Sequence, residues 1–99
     1  MKLIVTPAAV SCFKKEWGFR EGDSIRIFVR YSGGMSPQGP FSLGIISDTP
    51  IQAAASTVAE QITFYMEQND IWYTEGEDLQ IDCEGEDIVF RICGTQHGS

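Results

Sequence analysis

Histidine, paired cysteine and basic charge are all scarce in this sequence, and each scarcity removes a class of function. The single histidine, His97, lies in a polar stretch with nothing to hold it against a nucleophile. A catalytic serine or cysteine needs such a base beside it. The cysteines are Cys12, Cys83 and Cys93, an odd number with no Cys-x-x-Cys pair. That excludes a secreted disulfide framework and points to reduced thiols in the cytoplasm. Long apolar runs are missing too. The opening Met1-Lys2-Leu3-Ile4-Val5-Thr6-Pro7 is too short for a signal peptide or a membrane span. Seven basic residues stand against fourteen acids, for a net charge of -7. No broad basic face is available for nucleic acid.

What charge there is lies unevenly. Lys2, Lys14, Lys15, Arg20, Arg26 and Arg30 precede Ser32, together with only three acids, Glu16, Glu21 and Asp23. Beyond Tyr31 the one basic residue is Arg91. The acidic half reads as solvated turns, or as a polarised surface for a basic partner or a second copy of the chain. Asp82, Glu84, Glu86 and Asp87 lack calcium-loop spacing, and carboxylates in turns are poorly placed for acid–base chemistry.

Ninety-nine residues, 42% of them hydrophobic, suit one modest core, so a single domain over 1–99 is expected. Its centre is a strand–loop–strand stretch. Ile25 to Tyr31 alternates so that Ile25, Ile27, Val29 and Tyr31 share one face, and Phe41, Leu43 and Ile45 do the same on the second strand. The connection from Ser32 to Pro40 is rich in glycine and proline, and reads as a long loop able to carry function. Arg26 and Arg30 alternate onto the other face, with Phe28 between them. They suit either an anion clamp or neutralisation of the protein's own acids.

Around that hairpin, Leu3 to Val5 predicts a short strand, and Thr6-Pro7 a capped helix ending at Gly18. Its apolar stripe runs through Ala9, Val10, Phe13 and Trp17, with Cys12 one position off it as a half-buried thiol. Ile51 to Ala55 reads as weakly helical or irregular. Ser56 to Ala59 and Ile62 to Tyr65 predict a second hairpin turning at Glu60-Gln61. Gln68 to Tyr73 is a short helical turn. Ile71, Trp72 and Tyr73 serve there as core anchors or, alternatively, as an exposed aromatic pair marking a partner site. Leu79 to Cys83 and Ile88 to Cys93 close the chain as two strands joined by an acidic turn.

This order of elements resembles the HesB-like family, which includes the A-type (IscA) iron–sulfur cluster carriers. The resemblance rests on the Thr-Pro-Ala-Ala helix start, Phe28-Val29-Arg30-Tyr31-Ser32-Gly33-Gly34, Phe41-Ser42-Leu43-Gly44-Ile45 and Asp70-Ile71-Trp72-Tyr73. It implies a mostly β (α+β) fold, a HesB-like pseudo-barrel of mixed sheets with one N-terminal flanking helix. It also implies a three-cysteine cluster site, which this sequence lacks. Met35 follows Gly33-Gly34 where a carrier has cysteine, and Cys93 reads as a strand-end residue, too early for the carriers' Cys-Gly-Cys tail, which is lacking. A thioether is neutral, whereas cluster assembly uses thiolates.

The expected function is therefore a HesB-like, non-catalytic binding or regulatory module without cofactor. Its binding loop is Gly33, Gly34, Met35, Ser36, Gln38 and Gly39, its partner an unknown protein, and a homodimer would cover edge strands. One alternative is an iron–sulfur or iron carrier in which Cys83 and Cys93 face each other across the last hairpin and bind metal across a dimer. The other is an enzyme acting on a small anion held by Arg26 and Arg30.

Overall fold

The structure, a computed structural model, describes residues 2–36 and 39–93, with backbone alone for 32–36 and 39–40. Its elements run β1 (Leu3–Val5), α1 (Pro7–Cys12), a π-helical turn (Phe13–Trp17), β2 (Ser24–Ser36) and β3 (Gly39–Ser47). Then come β4 (Ala53–Ala59), β5 (Ile62–Glu67), a 3-10 turn (Ile71–Thr74), β6 (Asp78–Glu84) and β7 (Asp87–Cys93). This is the expected mostly β, α+β fold with one flanking helix near its start. The strands form two mixed sheets, β1-β6-β7 and β3-β2-β5-β4. The β1–β6 and β2–β5 pairs are parallel and the rest antiparallel. No ladder joins the two sheets among the described residues, so the pseudo-barrel is not closed.

Local chemistry sets the helix ends. Thr6 Oγ1 accepts from the Ala9 amide at 3.1 Å and donates to Asp82 Oδ1 at 2.8 Å, so one hydroxyl caps α1 and ties it to β6. Gly18, at φ 75°, ends the π-helical turn. Ala9, Val10, Cys12 and Phe13 are buried, while Trp17 remains 46% exposed. Cys12 therefore lies deeper than its place off the apolar stripe suggested.

The core gathers Ile25 and Ile27 of β2, Ile62, Phe64 and Met66 of β5, Leu79 and Ile81 of β6, and Phe13. The second hairpin turns at Glu60 and Gln61 as expected, both with positive φ (51° and 68°), the conformation a tight two-residue turn demands. Ala53 to Ala55 belongs to β4 rather than to a weak helix. Pairing along β5 outweighs the helix preference of alanine there. In the main hairpin the strands reach into the stretch read as a loop. β2 continues to Ser36, which pairs with Gly39 after an irregularity beyond Tyr31. Gln38 and the side chains of Met35 and Ser36, assigned to a binding loop, lie outside the described residues.

Candidate functional site: an aromatic ridge and an inter-sheet groove

β2 pairs with β5 only as far as Arg26. Past that point the 3-10 turn takes over the strand edge, held by one buried carboxylate. Asp70, 7% exposed, accepts from Arg26 Nη2 at 2.8 Å through Oδ2 and from the Val29 amide at 3.3 Å through Oδ1. The hydrogen bond to Asp70 also raises the Arg26 pKa above its ordinary value. Thr74, fully packed, donates its hydroxyl to the Ile71 carbonyl and closes the turn.

That clamp presents a chain of four rings. Tyr31 lies opposite Phe41 in register, with ring centroids 5.7 Å apart and planes at 70°. Phe41 meets Trp72 edge-to-face at 5.4 Å, and Trp72 meets Tyr73 at 5.8 Å. The Tyr73 hydroxyl donates to the Phe41 carbonyl at 3.4 Å. The rings brace one another, and two of them stay in solvent while Phe41 and Tyr73 are half-buried: Tyr31 is 72% and Trp72 52% exposed. Of the two readings of Trp72, the structure selects the exposed one.

Through Tyr73 the ridge runs into a groove between β3 and β7, the edge strands of the two sheets. One part, about 610 Å³, is lined by Leu43, Tyr73, Ile88, Phe90 and Ile92. The adjoining part, about 440 Å³, adds Trp17, Phe28 and Arg30. Gly44 makes this second part possible. A Cβ there would stand 2.5 Å from the Phe28 ring, which lies flat across β3.

The residues singled out by sequence fall apart differently. Arg26 and Arg30 do share a face, but Arg26 is bound to Asp70 and packs 5.9 Å from the Phe28 ring, while Arg30 Nε donates to Ser42 Oγ at 3.4 Å. A buried acid beside Arg26 removes half of the anion clamp. Cys83 and Cys93 do not face each other. Cys83 pairs with Ile88 and Cys93 with Asp78, at opposite ends of the hairpin, about 17 Å apart along the strands. The described residues also contain no group of three or more histidine, cysteine or acidic side chains able to hold a metal.

No family model matches the chain. Over 81 residues it is 37% identical to a Bacillus subtilis (strain 168) protein named pyruvate dehydrogenase inhibitor, a match covering 82% of this chain and 85% of that protein. The chain belongs to this inhibitor's family. The finding overturns the HesB-like resemblance and the iron–sulfur role drawn from it. Similar element order and a shared Gly-Gly segment did not carry the identity, and the missing thiolates were the sign that they should not. In this chain, the ridge of Tyr31, Phe41, Trp72 and Tyr73 is a feature whose strand residues, Tyr31 and Phe41, the sequence offered only as one face of a hairpin.

Proposed function

We propose that this chain is a non-catalytic cytoplasmic regulator that inhibits pyruvate dehydrogenase by binding it through the aromatic ridge. The observation that carries the reading is the exposure of Tyr31 and Trp72 on a rigid, hydrogen-bonded mount. Protein interfaces concentrate their energy in tyrosine, tryptophan and arginine, and rings already fixed in place lose little entropy on docking. Arg30 precedes Tyr31 on β2 but points to the other face of the strand, where it lines the groove. The apolar groove extends the contact area, and the net charge of -7 steers the chain toward a basic partner surface.

The test is titration of the chain into an assay of purified pyruvate dehydrogenase complex, with binding to each component measured separately. Dose-dependent inhibition is expected, weakened about 30-fold by Trp72→Ala with the fold intact. Absence of binding to every component ends the proposal. Undiminished inhibition by both Trp72→Ala and Tyr31→Ala moves the contact off the ridge.

A further inference from the structure

Away from the ridge, Cys12 on α1 and Cys83 on β6 line one surface cavity of about 390 Å³, together with Ser11, Lys15, Glu16 and Glu86. Far apart in sequence, the two sulfur atoms hang over the same turn. Cys12 Sγ donates to the Glu86 carbonyl at 3.5 Å and Cys83 Sγ to the Gly85 carbonyl at 3.3 Å. Cys12 is buried and Cys83 half-buried, so the pair has an inner and an outer member. Burial, and then the adjacent Cys83 thiol, push the Cys12 thiol up to about 11.

We propose that Cys12 and Cys83 are a reversible redox pair, closing to an intramolecular disulfide that staples α1 to β6 beside the β6–β7 turn. The oxidant is a low-molecular-weight disulfide. The accessible Cys83 thiolate attacks one of its sulfurs, breaking that S–S bond and releasing one thiol. Cys12 then attacks the Cys83 sulfur of the mixed disulfide, forming the internal S–S bond and releasing the second thiol. Two electrons pass to the external disulfide, and the two cysteine protons end on the two released thiols. Cys12 is a poor thiolate, so the second step is the slow one. Oxidation also strips both S–H donors from the Gly85 and Glu86 carbonyls, which the open cavity lets water replace.

The experiment exposes the full chain to oxidised glutathione at about pH 8, then maps thiols by alkylation and peptide mass. The expected product is a Cys12–Cys83 crosslink with Cys93 still alkylated. It should unfold about 10 °C higher than the reduced chain and revert with dithiothreitol. Cys83→Ser loses both the crosslink and the shift, and Cys93→Ser keeps both. Cys12→Ala matches Cys83→Ser, with its reduced-state melting curve reporting that it folds. A glutathione adduct persisting on Cys83, a crosslink through Cys93, a bond between chains, or thiols that never react each overturns the proposal.

Discussion

The two halves of β2 obey the same alternation and meet opposite fates. Ile25 and Ile27 have no exposed surface, whereas Tyr31, on the same face, is 72% exposed. The first half lies in the cluster with Phe64 and Met66 of β5 and Phe13 beside α1. The second half has left β5 behind, and only the turn held by Asp70 and its rings accompany it. A period of two selects which side chains share a face. Whether anything covers that face depends on where the neighbouring strand stops, which is a tertiary fact.

The largest effect that tests this contrast is in the core half. Ile27→Ala should cost about 3 kcal/mol by chemical denaturation, because it opens a cavity among packed neighbours. Tyr31→Ala should cost no more than about 1 kcal/mol, the worth of one exposed cross-strand aromatic pair. Equal costs would erase the distinction between the halves. Next in size is the hinge between them. Asp70→Ala leaves the Arg26 guanidinium and the Val29 amide without their acceptor, and should cost about 2 kcal/mol. Faster hydrogen exchange at Val29, with weaker binding through Trp72, is the accompanying signature. Smaller again is Thr6→Ala, about 1 kcal/mol from loss of the α1 cap, read in the same denaturation series.

Much of the fold was legible because it is written locally. The Thr6-Pro7 start, the Gly18 stop, the Glu60-Gln61 turn and the last hairpin all follow from residue chemistry at the position itself. Glycines at 33 and 34 signalled a loop, and they fall in the irregularity between the Tyr31–Phe41 and Ser36–Gly39 pairs, where glycine in a strand often marks a bulge. The register of the last hairpin is legible too. With the turn pairing Glu84 to Asp87, counting outward puts Cys83 opposite Ile88 and Cys93 opposite Asp78. The Cys12–Cys83 neighbourhood was not readable, because it depends on how α1 packs over β6. The ridge was half readable. Trp72 and Tyr73 stood out as candidates for either core or surface, and the choice rests on Asp70, whose partner Arg26 lies far off in sequence.

The smallest expected effect concerns the other sheet, where a carboxylate does for β6 what Asp70 does for β2. Asp82 accepts from the Thr6 hydroxyl, from the Cys83 amide at 2.7 Å and from Arg91 Nη1 at 2.8 Å. Those partners, the Thr6 hydroxyl foremost, hold its pKa below the usual carboxylate value. A depressed folded pKa means that the unfolded chain takes up the proton first as pH falls. The contribution is therefore fully present above about pH 4, the ordinary aspartate range. It is lost as the pH drops through the lower folded value. Asp82→Asn should lower the melting midpoint modestly at neutral pH and flatten its decline between about pH 4 and pH 2. Asp70, by contrast, is buried against its partners, whereas the Asp82 side chain is 27% exposed and shares Arg91 with Glu84. If removing Asp82 cost as much as removing Asp70, burial would not be what separates the two clamps.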